Sequence, residues 1–245
     1  MSTLVMSQPT TALKAQRIQT IDLLRGVVMI IMALDHVRDY FHWSSYKFDP
    51  TDLGHTSVAI FFTRWITHFC APTFFFLSGI SAYLNGLKKT KKELAWFLFT
   101  RGLWLILLEF TVMNFAWYFD VHFTTIDFII IWALGLSMVL MAGIIFLPMP
   151  IILLISLLLI GGHNLMDGFH VPGTGPSSFA WALIHDQNFF VYGRNLFVGY
   201  PIIPWVGVMA AGYCLGTIYA PDFDAAKRKR ILISLGLGAV ALFIV

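Results

Sequence analysis

Two pairs of ionisable residues in apolar surroundings have the types and spacing that proton transfer needs. Asp35 and His36 follow the apolar run Val27–Leu34, and Arg64 and His68 lie four residues apart in RWITHFCAP. Residues four apart share one face of a helix. Ionisable groups at membrane depth cost roughly 2.5–3.5 kcal/mol each, so they usually line a protected polar cavity. Imidazole exchanges protons near neutral pH. The pattern therefore predicts a base oriented by an acid.

The same residues also have plainer interpretations. A histidine on an apolar face is usually a hydrogen-bonded structural residue, and Asp35 can pair with Arg38 at three residues' spacing. Buried acids, bases and histidines can also form the proton relay of a transporter. Two histidines are too few for a zinc site, which takes three or four ligands, so we predict no metal.

Basic residues begin or flank the apolar segments and offer a second kind of chemistry. Arg25 lies three residues after Asp22, Lys88 and Lys89 belong to the loop LKKTKKE, and Arg101 follows in the next apolar segment. Arg25 either pairs with Asp22 or faces an anionic cytosolic ligand, because guanidinium groups bind phosphate bidentately. Arg101 is open to the same two interpretations, contact with an anionic cofactor or a structural network.

Arg101 and Glu109 lie eight residues apart in that segment. This spacing places both on roughly one face of a helix. We expect the two residues to belong to one structural polar network, bridged by other helices.

The composition requires a lipid environment. Of the 245 residues, 58% are hydrophobic and 12% are charged, whereas soluble domains have about 25% charged residues. The net charge is only +3, and the basic residues cluster beside apolar segments. That arrangement indicates membrane topology signals and argues against nucleic acid binding.

Apolar segments of about 20 residues predict membrane-spanning helices. We predict an all-α, polytopic integral membrane helical bundle with about seven spans, the last one cut short by the chain end, so that the protein is C-terminally truncated. The seven segments are Ile21–Phe41, Val58–Leu87, Leu94–Phe119, Ile126–Phe146, Pro150–Gly162, Tyr200–Ala220 and Ile231–Val245.

Charge patterning predicts the orientation and the domains. Lysines and arginines concentrate before the first span, in LKKTKKE and at 227–230, which predicts a cytoplasmic N-terminus. Residues 1–16 read as a disordered cytoplasmic tail, 17–220 as one membrane domain, and 221–245 as a cytoplasmic basic loop with a further, cut-off span. The loop at 42–57 and the long segment at 164–199 then lie on the outer side.

Several motifs together resemble a known family. They are IDLLRG, ALDHVRDYF, DPTDL, RWITHFCAP with FFFLSG, and YPIIPWVGVMAAGYCLG. They are similar to the bacterial branch of the heparan-alpha-glucosaminide N-acetyltransferase catalytic-domain family, including the domain labelled DUF1624, over roughly residues 17–216. The resemblance implies a membrane acyltransferase that moves an acetyl group from cytosolic acetyl-CoA to a sugar amine or hydroxyl on the extracytoplasmic side. A bacterial inner membrane, surrounding lipids and a glycan or cell-envelope sugar acceptor follow as expectations, and the oligomeric state stays open.

Under this resemblance the candidate residues acquire roles. His36, oriented by Asp35 or another acid, is the first choice for the general base, with His68 second and His55 third, because the family's histidine does not align one to one. Arg64 and His68 would position the acceptor or stabilise the oxyanion. The predicted contacts to the CoA phosphates are Arg25, Arg101, Lys88 and Lys89. A proton-coupled transporter and a non-catalytic membrane protein are the alternatives, and acetyl-CoA binding separates them from an acyltransferase.

Overall fold

The computed structural model describes residues 19–43 and 47–244, and these residues are mainly helical. The predicted all-α class is confirmed, while the predicted tail at 1–16 lies outside the described residues. The elements are α1 Gln19–Phe41, α2 Val58–Thr67, α3 Cys70–Gly86, α4 Lys91–Leu108, α5 Asn114–Tyr118, β1 Thr125–Phe128, α6 Ile130–Ile144, α7 Met149–Gly162, α8 Pro176–Ile184, β2 Asn188–Val191, β3 Asn195–Val198, α9 Ile202–Leu215 and α10 Ala225–Ile244.

Four helical stretches among the described residues are long and apolar enough to cross a membrane, so the prediction of about seven spans is wrong. Helices α1 and α10 form but are too highly charged to count, and the predicted fourth span is interrupted because its first residues form strand β1. The remaining α6 is a shorter apolar helix. The four stretches are Val58–Gly86, Lys91–Tyr118, Met149–Met166 and Ile202–Tyr219.

The chain divides into two compact units, one ending at Thr67 and the other beginning at His68. In the first unit α1 packs against α2. In the second, the main helix pairs are α4 with α6, α3 with α9, and α7 with α9. The largest buried cluster of the second unit lies among these helices and includes Phe75, Leu98, Met141, Ile152 and Met209.

Close helix contacts in the second unit depend on glycines. A Cβ added to Gly102 of α4 would lie 2.5 Å from the carbonyl oxygen of Gly135 in α6. A Cβ added to Gly135 would lie 2.7 Å from the carbonyl oxygen of Gly102. The two backbones therefore touch at this crossing, as small residues allow in membrane helix pairs.

A small three-stranded sheet connects the helices of the second unit. Its order is β1-β3-β2, with β1 parallel and β2 antiparallel to β3. The β2–β3 hairpin turns at Gly193, whose φ of +67° is one that glycine adopts without strain. Because β1 ends two residues before α6 begins, the sheet holds Asp127 beside the start of that helix.

Candidate functional site

A polar cluster between α1 and α2 centres on the Asp35 carboxylate. Its Oδ1 accepts hydrogen bonds from Arg38 Nη2 and from the Thr67 hydroxyl, the latter at 2.7 Å. Its Oδ2 accepts a hydrogen bond from Arg64 Nη1 at 3.0 Å. Arg38 Nη2 also donates to Asp39 Oδ1 at 3.0 Å. Two carboxylates and two guanidinium groups therefore form one connected network.

Helical spacing explains why these side chains meet. Asp35 and Arg38 lie one turn apart on α1, while Thr63, Arg64 and Thr67 cover one side of α2. The Arg38 side chain is 8% exposed, and that of Arg64 is 36% exposed. The cluster thus contains one buried arginine and a second arginine that is partly exposed.

The contacts of Asp35 show it as an ion-pair partner, while its role in orienting His36 stays a prediction. Both of its carboxylate oxygens accept hydrogen bonds from cationic or hydroxyl donors on Arg38, Arg64 and Thr67. These contacts make the carboxylate an anchor for the two arginines. The structure therefore supports Asp35 as a residue that positions Arg64, and the alternative that it pairs with Arg38 is confirmed.

The three candidate histidines occupy different surroundings. His36 is half-buried on α1, beside Asp35 in the chain. His68 is exposed and directly follows Thr67, and it belongs to the second compact unit. His55 lies in the loop before α2, where its Nδ1 is 2.7 Å from Asp52 Oδ2. That hydrogen bond is the main cause that lowers the pKa of Asp52.

The candidate phosphate-binding cations are divided between the two compact units. Arg25 Nη1 lies 3.8 Å from Asp22 Oδ1, which favours the pairing interpretation. In the second unit, Lys89 and Arg101 both lie over the Phe97 ring, at 5.3 Å and 5.4 Å from its centroid. Lys88 is exposed in the preceding turn. The structure therefore brings Lys89 and Arg101 together on one aromatic ring.

The second unit contains a buried polar network, of which the sequence analysis predicted only the participation of Glu109. Glu109 is fully buried, and its Oε2 accepts a hydrogen bond from the backbone N–H of Trp132 at 2.9 Å. Asn114 Nδ2 donates to the carbonyl oxygens of Glu109 and Asp127, at 2.7 and 3.2 Å, and its Oδ1 accepts from the Asp127 N–H at 2.6 Å. Tyr118 donates its hydroxyl hydrogen to Asp127 Oδ2 at 2.8 Å.

This network corrects the predicted association of Arg101 with Glu109. Arg101 is exposed and lies on Phe97, whereas Glu109 is buried against the start of α6. Eight residues of helix span about 12 Å, too far for direct contact, and nothing in the spacing indicated Trp132 as a partner. The structure shows a π-helical turn at Glu109–Met113, which the sequence pattern did not indicate. Such turns frequently mark functional sites.

The segment between α7 and β2 carries two His–Asp pairs. His170 Nδ1 lies 3.0 Å from Asp186 Oδ2, and His185 Nε2 lies 3.1 Å from Asp167 Oδ1. In each pair one residue precedes α8 and the other follows it. The two pairs therefore connect the loop before α8 to the residues just after this helix. Within residues 19–43 and 47–244, no three His, Cys, Asp or Glu side chains are grouped so that they could hold a metal ion.

The fold and these clusters define a helical integral membrane protein with polar groups buried in its apolar part. The sequence model of the catalytic domain of heparan-alpha-glucosaminide N-acetyltransferase matches residues 17–244, so the chain belongs to that family. No curated protein and no solved structure matches the chain. Family membership indicates a membrane acetyltransferase-like enzyme and, for the family in general, acetyl-CoA as co-substrate.

Proposed function

We propose that this protein is a membrane acetyltransferase of the bacterial inner membrane, with its N-terminus in the cytoplasm. It transfers the acetyl group of cytosolic acetyl-CoA to an amine or hydroxyl of a cell-envelope sugar on the other side. The observation that carries the proposal is the family match across residues 17–244. Polar side chains gathered inside apolar helices support it, because such groups are retained in membranes chiefly for function.

Recognition of the donor would use the basic groups of the second unit. The 3′-phosphate and pyrophosphate of CoA are multiply charged, and ammonium and guanidinium groups bind such anions. Lys89 and Arg101 converge on Phe97, with Lys88 exposed beside them. We assign these three residues to phosphate binding. Arg25 is a weaker candidate, because its guanidinium group already lies near Asp22.

His36 remains the first candidate for the base. Its imidazole takes a proton from the acceptor amine or hydroxyl, whose nitrogen or oxygen then bonds to the acetyl carbonyl carbon. The carbon–sulfur bond breaks, and the CoA thiolate leaves and takes up a proton. Arg64, whose guanidinium group is held by Asp35, would stabilise the oxyanion. His68 and His55 are the second and third candidates for the base.

Acetyl-CoA binding and transfer test this proposal directly. The full chain in detergent micelles should bind acetyl-CoA saturably in isothermal titration, and membranes containing it should transfer labelled acetyl groups to amino sugars. His36→Ala should bind acetyl-CoA as the wild type does but lose transfer. The matched control is His122→Ala, which changes an exposed loop histidine and should leave both measurements unchanged.

The opposite outcome supports the second candidate function. A well-folded chain that does not bind acetyl-CoA would overturn the acetyltransferase proposal. A proton-coupled transporter would then be favoured, because Glu109 and Asp127 are buried acids without an ion pair among the described residues. Transfer retained in His36→Ala but lost in His68→Ala or His55→Ala would keep the activity and reassign the base.

A further inference from the structure

Two buried carboxyl groups of the second unit lie where four elements meet. Glu109 begins the π-helical turn after α4, and Asp127 lies in β1. Asn114 of α5 bonds to the backbone of both residues, and Trp132 of α6 donates its N–H to Glu109. The exposed fractions of the two acids are 0% and 7%. Water therefore has little access to either carboxyl group.

Each carboxyl group is hydrogen-bonded through one oxygen only. Glu109 Oε2 accepts from Trp132 and Asp127 Oδ2 accepts from Tyr118, whereas Oε1 and Oδ1 are buried and have no hydrogen-bond donor among the described residues. A buried ionised carboxylate needs donors on both oxygens or a nearby cation. Half of that requirement is unmet at both residues, which is the observation that points to a bound ligand.

No basic side chain in the part of the chain that the structure describes pairs with either acid. Neither Glu109 nor Asp127 forms an ion pair within residues 19–43 and 47–244. Helix α6 and strand β3, which pack beside them, contain no ionisable side chain. On α5 the titratable neighbour is Tyr118. Arg194, just before β3, donates to the Phe123 carbonyl oxygen.

A purely structural role does not require acids at these two positions. A glutamine could accept the Trp132 hydrogen bond and an asparagine could accept that of Tyr118, without the cost of burying an ionisable group. The property that distinguishes the acids is that they can gain and lose a proton. Asn114 joins both residues in one network, and carboxylates of one dry network disfavour each other's ionisation, so at least one keeps its proton. Burial raises the pKa of Asp127, against the opposing effect of the Tyr118 hydrogen bond.

We propose that Glu109 and Asp127 form a proton-binding site, a carboxyl pair that holds one proton near neutral pH and exchanges it with a group outside the pair. The ligand is the proton itself, added to the free oxygen of one carboxyl group. The site lies where α4 gives way to a π-helical turn and where β1 leads into α6. It belongs to the second compact unit, whereas the Asp35 cluster belongs to the first.

Infrared difference spectroscopy of the full chain in detergent tests this site, because a protonated carboxyl group and a carboxylate absorb at different frequencies. The wild type should show a protonated carboxyl band at neutral pH that disappears as the pH rises. Glu109→Gln and Asp127→Asn each keep a hydrogen-bond acceptor but remove one titratable carboxyl group. Each single variant should shift the titration of the remaining acid to lower pH, since the like charge is gone.

The controls separate this proposal from other outcomes. Asp120→Asn removes an acid of the loop before β1 and should leave the neutral-pH band unchanged. A wild-type spectrum without a protonated carboxyl at neutral pH would overturn the proposal, even where a variant fails to fold. A band that persists in the double variant, which carries both Glu109→Gln and Asp127→Asn, would overturn it as well, because another acid would carry the proton. The measurement needs no acetyl donor, so its result is independent of the acetyltransferase proposal.

Discussion

Arg64 of α2 donates from Nη1 to Asp35 Oδ2 of α1 across 3.0 Å, and this contact joins two residues that are 29 positions apart in the chain. The Asp35 carboxylate is shared with Arg38, whose side chain is far more buried. The relationship makes Asp35 the common anchor of two arginines of unequal exposure. The difference in exposure also predicts which of the two arginines contributes more to the free energy of unfolding.

Loss of Arg38 should destabilise the fold more than loss of Arg64. Removing one member of a buried pair leaves an uncompensated charge and costs about 3 kcal/mol, whereas a pair open to solvent contributes about 1 kcal/mol or less. Arg38→Ala should therefore unfold well before Arg64→Ala in a thermal melt in detergent. Arg25→Ala removes a half-buried pair whose charged atoms lie 3.8 Å apart, and it should melt close to the wild type. Equal losses for Arg38→Ala and Arg64→Ala would contradict the structure.

Loss of Lys89 and Arg101 together should weaken acetyl-CoA binding. Each exposed cation contributes up to about 1 kcal/mol to binding an anion, so the double alanine variant should bind up to about thirtyfold more weakly. The effect should shrink at high salt because the charges are solvent-accessible. Lys229→Ala, an exposed lysine on α10, is the matched control. An unchanged affinity in the double variant would remove both residues from the proposed donor site.

Alanine at Gly102 or Gly135 should separate α4 from α6. The added Cβ would meet a backbone carbonyl oxygen at 2.5 or 2.7 Å, and the backbone cannot move without shifting a helix. We expect a loss of about 1–3 kcal/mol in the free energy of unfolding.

The control for this crossing is Gly143, which lies on α6 together with Gly135. Gly143→Ala places its Cβ in open space and should be neutral or stabilising by up to about 1 kcal/mol, because alanine favours a helix over glycine. Thermal melts of the three variants check both expectations. A melt of Gly102→Ala at the wild-type temperature would show that the helices do not cross so closely.

The loop that leads into β1 should lose stability in acid through Asp120. Hydrogen bonds from Thr124, and from the backbone of His122, lower the pKa of Asp120 from 3.8 to about 2. A carboxyl group with a lowered pKa in the folded state stabilises that state above its unfolded pKa, and the contribution disappears as the pH falls through the folded value. Wild type should therefore exceed Asp120→Asn in thermal stability at neutral pH.

The stability difference between these two proteins should decline between about pH 4 and about pH 2. Thr124→Val removes the main hydrogen bond to the carboxylate and should resemble Asp120→Asn at neutral pH. Melting temperatures measured over this pH range check the sign. A difference that grows on acidification would contradict the lowered pKa.

Much of the architecture was predictable because it depends on local composition. The apolar content predicted a helical membrane protein, and the motifs from IDLLRG to YPIIPWVGVMAAGYCLG predicted the family, as the match over 17–244 confirms. The number of spans was not predictable in this way. The segment beginning at Ile126 is apolar enough for a helix, but its first residues pair with β3 instead.

By itself the sequence determined the lipid environment, the family and the candidate functional residues, including Asp35, His36 and Arg64. Only the tertiary structure decided which of them meet. It joined Asp35 to Arg64, placed Arg101 on Phe97, and closed Glu109 and Asp127 into one buried network. The physical reason is that spacing along a helix reports only neighbours one or two turns away, whereas these contacts join residues of separate elements or follow from burial.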